Sequence, residues 1–156
     1  MTWIDEKIPL ARNQHKITSQ ASGDYNCIAW AAGVQTEWWS HEIPYKWPVT
    51  RSPLAKSLVK VFAGLGYKMD RRGDTSLQPG IDKVAIYAKG EMWTHAARQL
   101  PNGKWTSKLG RDEDIEHENP ECLCGDTYGT IHCIMRKAIN EARRKKGRKP
   151  SGARRQ

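Results

Sequence analysis

The stretch from Val84 to Leu109 constrains the fold of this chain most. Val84-Ala-Ile-Tyr-Ala88 is an apolar run of strand length, and Lys89-Gly90 turns it into a second strand over 91–99. Pro101-Asn-Gly103 is a hairpin signal, because Asn and Gly accept the positive φ that tight turns require, and it leads into a third strand over 104–109. A meander of this kind needs a partner layer over its apolar face.

The preceding residues supply that layer. Asp24-Tyr-Asn-Cys-Ile-Ala-Trp-Ala-Ala-Gly33 reads as a short helix, with Asp24 or Asn26 as its cap and Gly33 as its end. Ser52-Pro53 opens a second helix, with Ser52 as cap, in which Leu54, Leu58, Val61, Phe62 and Leu65 share one face before Gly64 and Gly66 close it. Residues 37–48 form an aromatic-rich loop, and Met69 to Gly80 is turn-rich. Asp112 to Asp126 holds seven acids and reads as a loop or short helix, and Gly129 to Met135 reads as a final strand. Helices first and an antiparallel sheet afterwards make an α+β domain, expected over residues 1–136.

Charge is distributed unevenly. The chain of 156 residues carries 26 Lys+Arg and 17 Asp+Glu, and from Arg136 to Gln156 there are ten basic residues against the single acid Glu141. The body is therefore neutral, and the excess of +9 lies at the C-terminal end, expected to be helical over 138–146 and disordered beyond Gly147. This distribution argues against a uniformly basic nucleic-acid-binding domain. The run over 143–155 still offers polyanion contact, to nucleic acid or to an acidic partner, without interleaved aromatics for base stacking. No apolar run reaches membrane-spanning length, and residues 1–12 lack an apolar signal core, so a cytoplasmic protein is expected. Four Cys, at 27, 122, 124 and 133, then read as thiols rather than disulfides.

Two residues stand out for chemistry. Cys27 lies at the start of the first helix, where free N–H groups favour a thiolate nucleophile, although a small buried apolar Cys reads the same way. His95 lies mid-strand and could serve as its base, or could be an ordinary core histidine.

The motifs around both resemble a known group. Asp24-Tyr-Asn-Cys-Ile-Ala-Trp-Ala31 is similar to the nucleophile helix of papain-like cysteine hydrolases, in the small bacterial NlpC-type branch. Val84-Ala-Ile-Tyr-Ala-Lys-Gly-Glu-Met-Trp-Thr-His-Ala96 resembles the paired strands of that branch, so the resemblance covers about residues 20–110. It implies a papain-like α+β fold, with Cys27 as nucleophile and its backbone N–H as an oxyanion donor. NlpC-type enzymes carry the base just before the first of these strands, where this chain has Lys83, and His95 matches their third, orienting position. Either His95 serves as the base, the reading favoured because Cys27 and its helix are intact, or the site is degenerate. The orienting residue is then Asp114, Glu113 or Ser107, with the carboxylates ahead because they better stabilise an imidazolium. Gln20 resembles the oxyanion glutamine, at seven residues before the Cys instead of six. The activity implied is that of a thiol peptidase or amidase, with a deamidase or transamidase as alternatives, acting on a peptide or protein amide without cofactor.

Trp30, Trp93 and Trp105 could line a substrate cleft, though core packing is the ordinary use of each. His117, Cys122, Cys124, His132 and Cys133 are numerous enough for zinc, but Cys-x-Cys departs from the usual spacing, so no metal is expected. The alternative to an enzyme is a binding module that docks to nucleic acid or an acidic partner through the tail.

Overall fold

The meander forms where the sequence predicts it, and its first strand is longer than expected. In the computed structural model, which describes residues 2–139, its strands are β3 (Ile81–Lys89), β4 (Met92–Gln99) and β5 (Trp105–Lys108). Gly90 and Gly103 sit in the two turns with φ of +60° and +89°, values that side-chain-bearing residues rarely adopt. β7 (Thr130–Ala138) pairs along the other side of β3 and runs two residues past the expected domain boundary, with Lys137 opposite Asp82 and Ala138 opposite Ile81. The expected helix from residue 138 therefore loses Ala138 to this strand and Ile139 to a hydrogen bond from its N–H to Gly80 O at 2.7 Å, and residues 140–146, with the basic run 143–155, lie outside the described residues.

The acidic segment departs most from expectation. Residues Asp114–His117 form β6, paired with β5 on one side and with β1 (His15–Ile17) on the other, and Pro120–Leu123 is a 3₁₀ turn. The physical reason is burial on both faces of the sheet. Asp114, Ile115 and His117 are buried while Glu116 is half-buried, so this short acidic stretch packs inward at three of four positions. With β2 (Lys68–Met69) beside β7, the sheet has the antiparallel order β1-β6-β5-β4-β3-β7-β2.

Two core layers sandwich the sheet. Val84, Ile86, Ala96 and Met135 face α2 (Cys27–Ala31), α3 (Ala55–Gly64) and the aromatic loop. Ala85, Tyr87, Ala97 and Ile134 face α1 (Trp3–Lys7) and the 3₁₀ turn at Pro120, together with Trp105 and Ile115. The architecture is α+β, with helices on both faces rather than all on one. The second helix starts at Ala55 instead of Pro53. Pro53 and Leu54 are held by β4, through Trp93 N–H to Pro53 O at 3.1 Å and Ala55 N–H to Glu91 O at 2.7 Å.

Asn26 seats α2. Its side-chain oxygen accepts from Ala29 N–H at 3.2 Å and from Trp39 N–H at 3.0 Å, and its amide donates to Trp39 O at 2.6 Å. One buried residue thus caps the helix and fixes the aromatic loop beside it. Asn26→Ala leaves both backbone groups of Trp39 without these partners, and is expected to lower stability by roughly 2–4 kcal/mol in urea denaturation. A loss below about 1 kcal/mol would mean that the loop does not depend on this residue.

Candidate active site

α2 lies over β4 and β5, which share only two register pairs, Arg98 with Thr106 and Gln99 with Trp105. Cys27 opens α2 directly after its cap, and its sulfur meets the backbone N–H of Ala96, a neighbour of His95. The thiol is buried, and that burial raises its pKa to about 11 despite the N–H groups of Ala96, Ile28 and Cys27 and the Lys108 cation, all of which favour thiolate.

His95 points, with Ala97, into the opposite core layer. Its ring meets Tyr87 edge-on at 5.2 Å and stacks on Tyr128 at 4.2 Å between centroids. Nε2 lies 2.9 Å from Ser107 Oγ, Ser107 Oγ lies 2.8 Å from His117 Nε2, and His117 Nδ1 lies 2.8 Å from the carbonyl of Asn119. His95 Nδ1 is buried and makes no hydrogen bond, so Cys27 and His95 are not bonded to each other. Burial, reinforced by His117, depresses the His95 pKa to about 3, and burial likewise takes His117 to about 4.

Of the three candidates for the residue behind His95, the structure selects Ser107. Asp114 faces the α2 layer instead, where its carboxylate accepts from Tyr25 O–H at 2.8 Å and its pKa is raised by burial. Glu113 lies in the turn between β5 and β6, outside any contact with His95, and its Oε1 is buried without a partner. The ranking of carboxylates over the hydroxyl is thus reversed, because alternation along β5 and β6 sends Ser107 and Asp114 to opposite faces. His117, read from sequence only as a possible zinc ligand, proves to be the next member of the same chain.

Lys83, which stands where the NlpC-type resemblance would put the base, donates to the carbonyls of Asp74 and Ser76 at 2.7 and 2.9 Å, and so secures a turn. Gln20 is exposed in the loop before α2 and is not bonded to Cys27. Trp30 donates to Thr106 Oγ1 at 3.0 Å beneath the Arg98 guanidinium, and Trp93 stacks on Trp47 at 5.5 Å. Trp105 is a core residue, 1% exposed. A cleft of about 240 Å³ is lined by Trp3, Leu109, Arg111, Asp112 and Tyr128, the last of these being the ring stacked on His95. Among the described residues no His, Cys, Asp and Glu group converges as a metal site, and no helix is long and apolar enough to cross a membrane.

The two histidines make stability depend on pH. Their folded pKa values, about 3 and about 4, lie below the value of 6.5 that they regain on unfolding. Below pH 6.5 the unfolded chain therefore binds more protons, and stability falls as pH falls toward 4. The expected slope for two such groups is roughly 2.7 kcal/mol per pH unit around pH 5, about half of it absent in His117→Gln. Denaturation free energies measured from pH 7 to pH 4.5 check this; a flat profile between pH 6 and 5 would show that the histidines are not held neutral.

No curated protein and no solved structure matches this chain. A family model matches residues 16–136, from β1 into β7, a span that contains Cys27, His95, Ser107 and His117. The chain belongs to the family described as a domain of unknown function, DUF7689.

Proposed function

We propose that this domain is a papain-like cysteine hydrolase acting on an amide or isopeptide bond, with Cys27 as nucleophile and His95 as base. The observation that carries the reading is the state of His95. Its Nε2 is held by Ser107 while Nδ1 is free, and the residue is directly followed by Ala96, whose N–H meets the thiol. A base with one ring nitrogen oriented by a hydrogen bond and the other open is the arrangement that nucleophilic catalysis requires. In the reaction, Cys27 Sγ bonds to the carbonyl carbon as its proton passes to His95 Nδ1. That proton then goes to the departing amine as the C–N bond breaks, and water releases the thioester. Deamidation or transfer to an amine would use the same residues.

The Cys27 N–H is the oxyanion donor in this reading, since the Gln20 side chain is exposed. Burial holds thiol and imidazole neutral at rest, so in this reading the proton passes to His95 as the sulfur attacks an electrophile. The same burial supports a second reading, in which the pair is structural and the domain is a binding module that uses the basic run over 143–155 for nucleic acid or an acidic partner.

Alkylation separates the two. A thiol with a pKa of about 11 is roughly 10⁻⁴ ionised at pH 7 and should react far more slowly than the less buried Cys124 unless His95 takes its proton. The expected result with iodoacetamide, read by peptide mass spectrometry, is Cys27 labelling at least as fast as that of Cys124, falling tenfold or more in His95→Ala. Slow labelling of Cys27 that is unchanged in His95→Ala, with salt-dependent DNA retention lost on deleting 143–156, would favour the binding module.

A further inference from the structure

We propose that His117 is a positioning residue that fixes the tautomer of His95 through Ser107, leaving His95 Nδ1 as a bare proton acceptor inside the core. The inference deepens the hydrolase reading, and rests on it for its consequence, though not for its geometry.

The argument starts from the far end of the chain. The carbonyl of Asn119 has no proton to give, so His117 Nδ1, 2.8 Å away, must carry the hydrogen. A neutral imidazole has one N–H, so His117 Nε2 is an acceptor. Ser107, 2.8 Å from that nitrogen, then points its single O–H at His117. Its oxygen is left to accept, so His95 Nε2, 2.9 Å away, supplies the N–H. Every bond then has one direction, and His95 Nδ1 holds a lone pair and no hydrogen. That nitrogen is the ring atom that lacks a partner in the structure.

Charging His117 would reverse the chain. With both its nitrogens donating, Ser107 would turn its O–H toward His95 Nε2, and the His95 hydrogen would move to Nδ1. That form could not take a proton from a thiol. Burial opposes it: His117 is 1% exposed, and the titratable groups facing it, His15 across the β1–β6 pair and His95 beyond Ser107, contribute no negative charge. Tautomer control thus falls to a strand two places from the one that bears the base, in a role that a carboxylate or amide fills where one lies behind the ring.

The test is long-range ¹H–¹⁵N NMR of the ring nitrogens in the full-length protein at pH 7. His95 is expected to show a protonated Nε2 and an unprotonated Nδ1, and His117 the opposite. A wild-type spectrum with hydrogen on His95 Nδ1, or with either ring charged, overturns the proposal without any variant. His117→Gln, whose amide oxygen can still accept from Ser107, should keep the His95 pattern. His117→Leu, which frees the hydroxyl, should raise the Nδ1–H population severalfold and slow Cys27 alkylation severalfold, with the Gln variant restoring both. The spectrum does not depend on thiol chemistry. If it is as expected while Cys27 labelling ignores His95→Ala, the hydrolase reading falls and the tautomer chain stands; if His95 carries Nδ1–H, the chain falls whatever the labelling shows.

Discussion

Three polar side chains in the core, His95, Ser107 and His117, are admissible because each satisfies the next, with His95 Nδ1 the ring nitrogen left unpaired at one end. A buried polar group left unpaired costs on the order of 1–3 kcal/mol, and the chain ends safely on the Asn119 carbonyl, beside the turn at Pro120. The side chains come from β4, β5 and β6 in order. They fasten the sheet at a place where its main-chain ladder is thin, since β4 and β5, like β2 and β7, share only two register pairs. Ala96 has no register partner on β5, and its N–H is the one that Cys27 engages from the other face. The polar chain and the seat of the thiol are therefore consequences of one parting between neighbouring strands.

The α2 side is held with comparable redundancy. Asn26 ties the helix start to Trp39. Lys108, on β5, directs its buried ammonium at the carbonyls of Ser22, Gly110 and Asp112, joining the loop before α2 to the turn between β5 and β6. Tyr25 binds Asp114 on β6. Cys27 thus sits between residues anchored on two strands, and its placement is set by the sheet rather than by a helix of five residues.

Sequence reading succeeded where a local signal decided the outcome. The hairpin glycines, the Asn26 cap and the strand containing His95 all carry their own chemistry, so the meander and both helices could be found without tertiary information. It failed at β6, where Asp-Ile-Glu-His looks like a solvated acidic run and becomes a strand only because Tyr25 and Ser107 take up the polar atoms that face inward. The start of α3 was misplaced for a similar reason: Ser52 and Pro53 are good local start signals, overridden by pairing with β4. Of the candidate site residues, Cys27 and His95 lie in the helix and strand that the sequence assigned them. Ser107 and His117 were not separable from their neighbours, since which of Ser107, Glu113 and Asp114 stands behind His95 depends on strand register and alternation.

What burial does to the pair bears on how such a site could work. A thiol raised to about 11 and an imidazole lowered to about 3 do not exist as a resting ion pair. Proton transfer must then accompany attack, when the sulfur's electron pair enters a bond and never stands as a free buried anion. The imidazolium formed for that moment still needs support. Ser107 Oγ provides it, since it already accepts from His95 Nε2–H and is a stronger acceptor while its own O–H donates to His117 Nε2. Access imposes the other condition. His95 is fully enclosed, and the ring stacked on it, Tyr128, also lines the cleft of Arg111 and Asp112 and leads out of the exposed stretch Gly125–Thr127. A carbonyl approaching His95 from that cleft has to displace Tyr128, and displacement would admit solvent or substrate to the imidazole and relax the burial that keeps its pKa low. In this arrangement, exposing the base and strengthening it would be the same event.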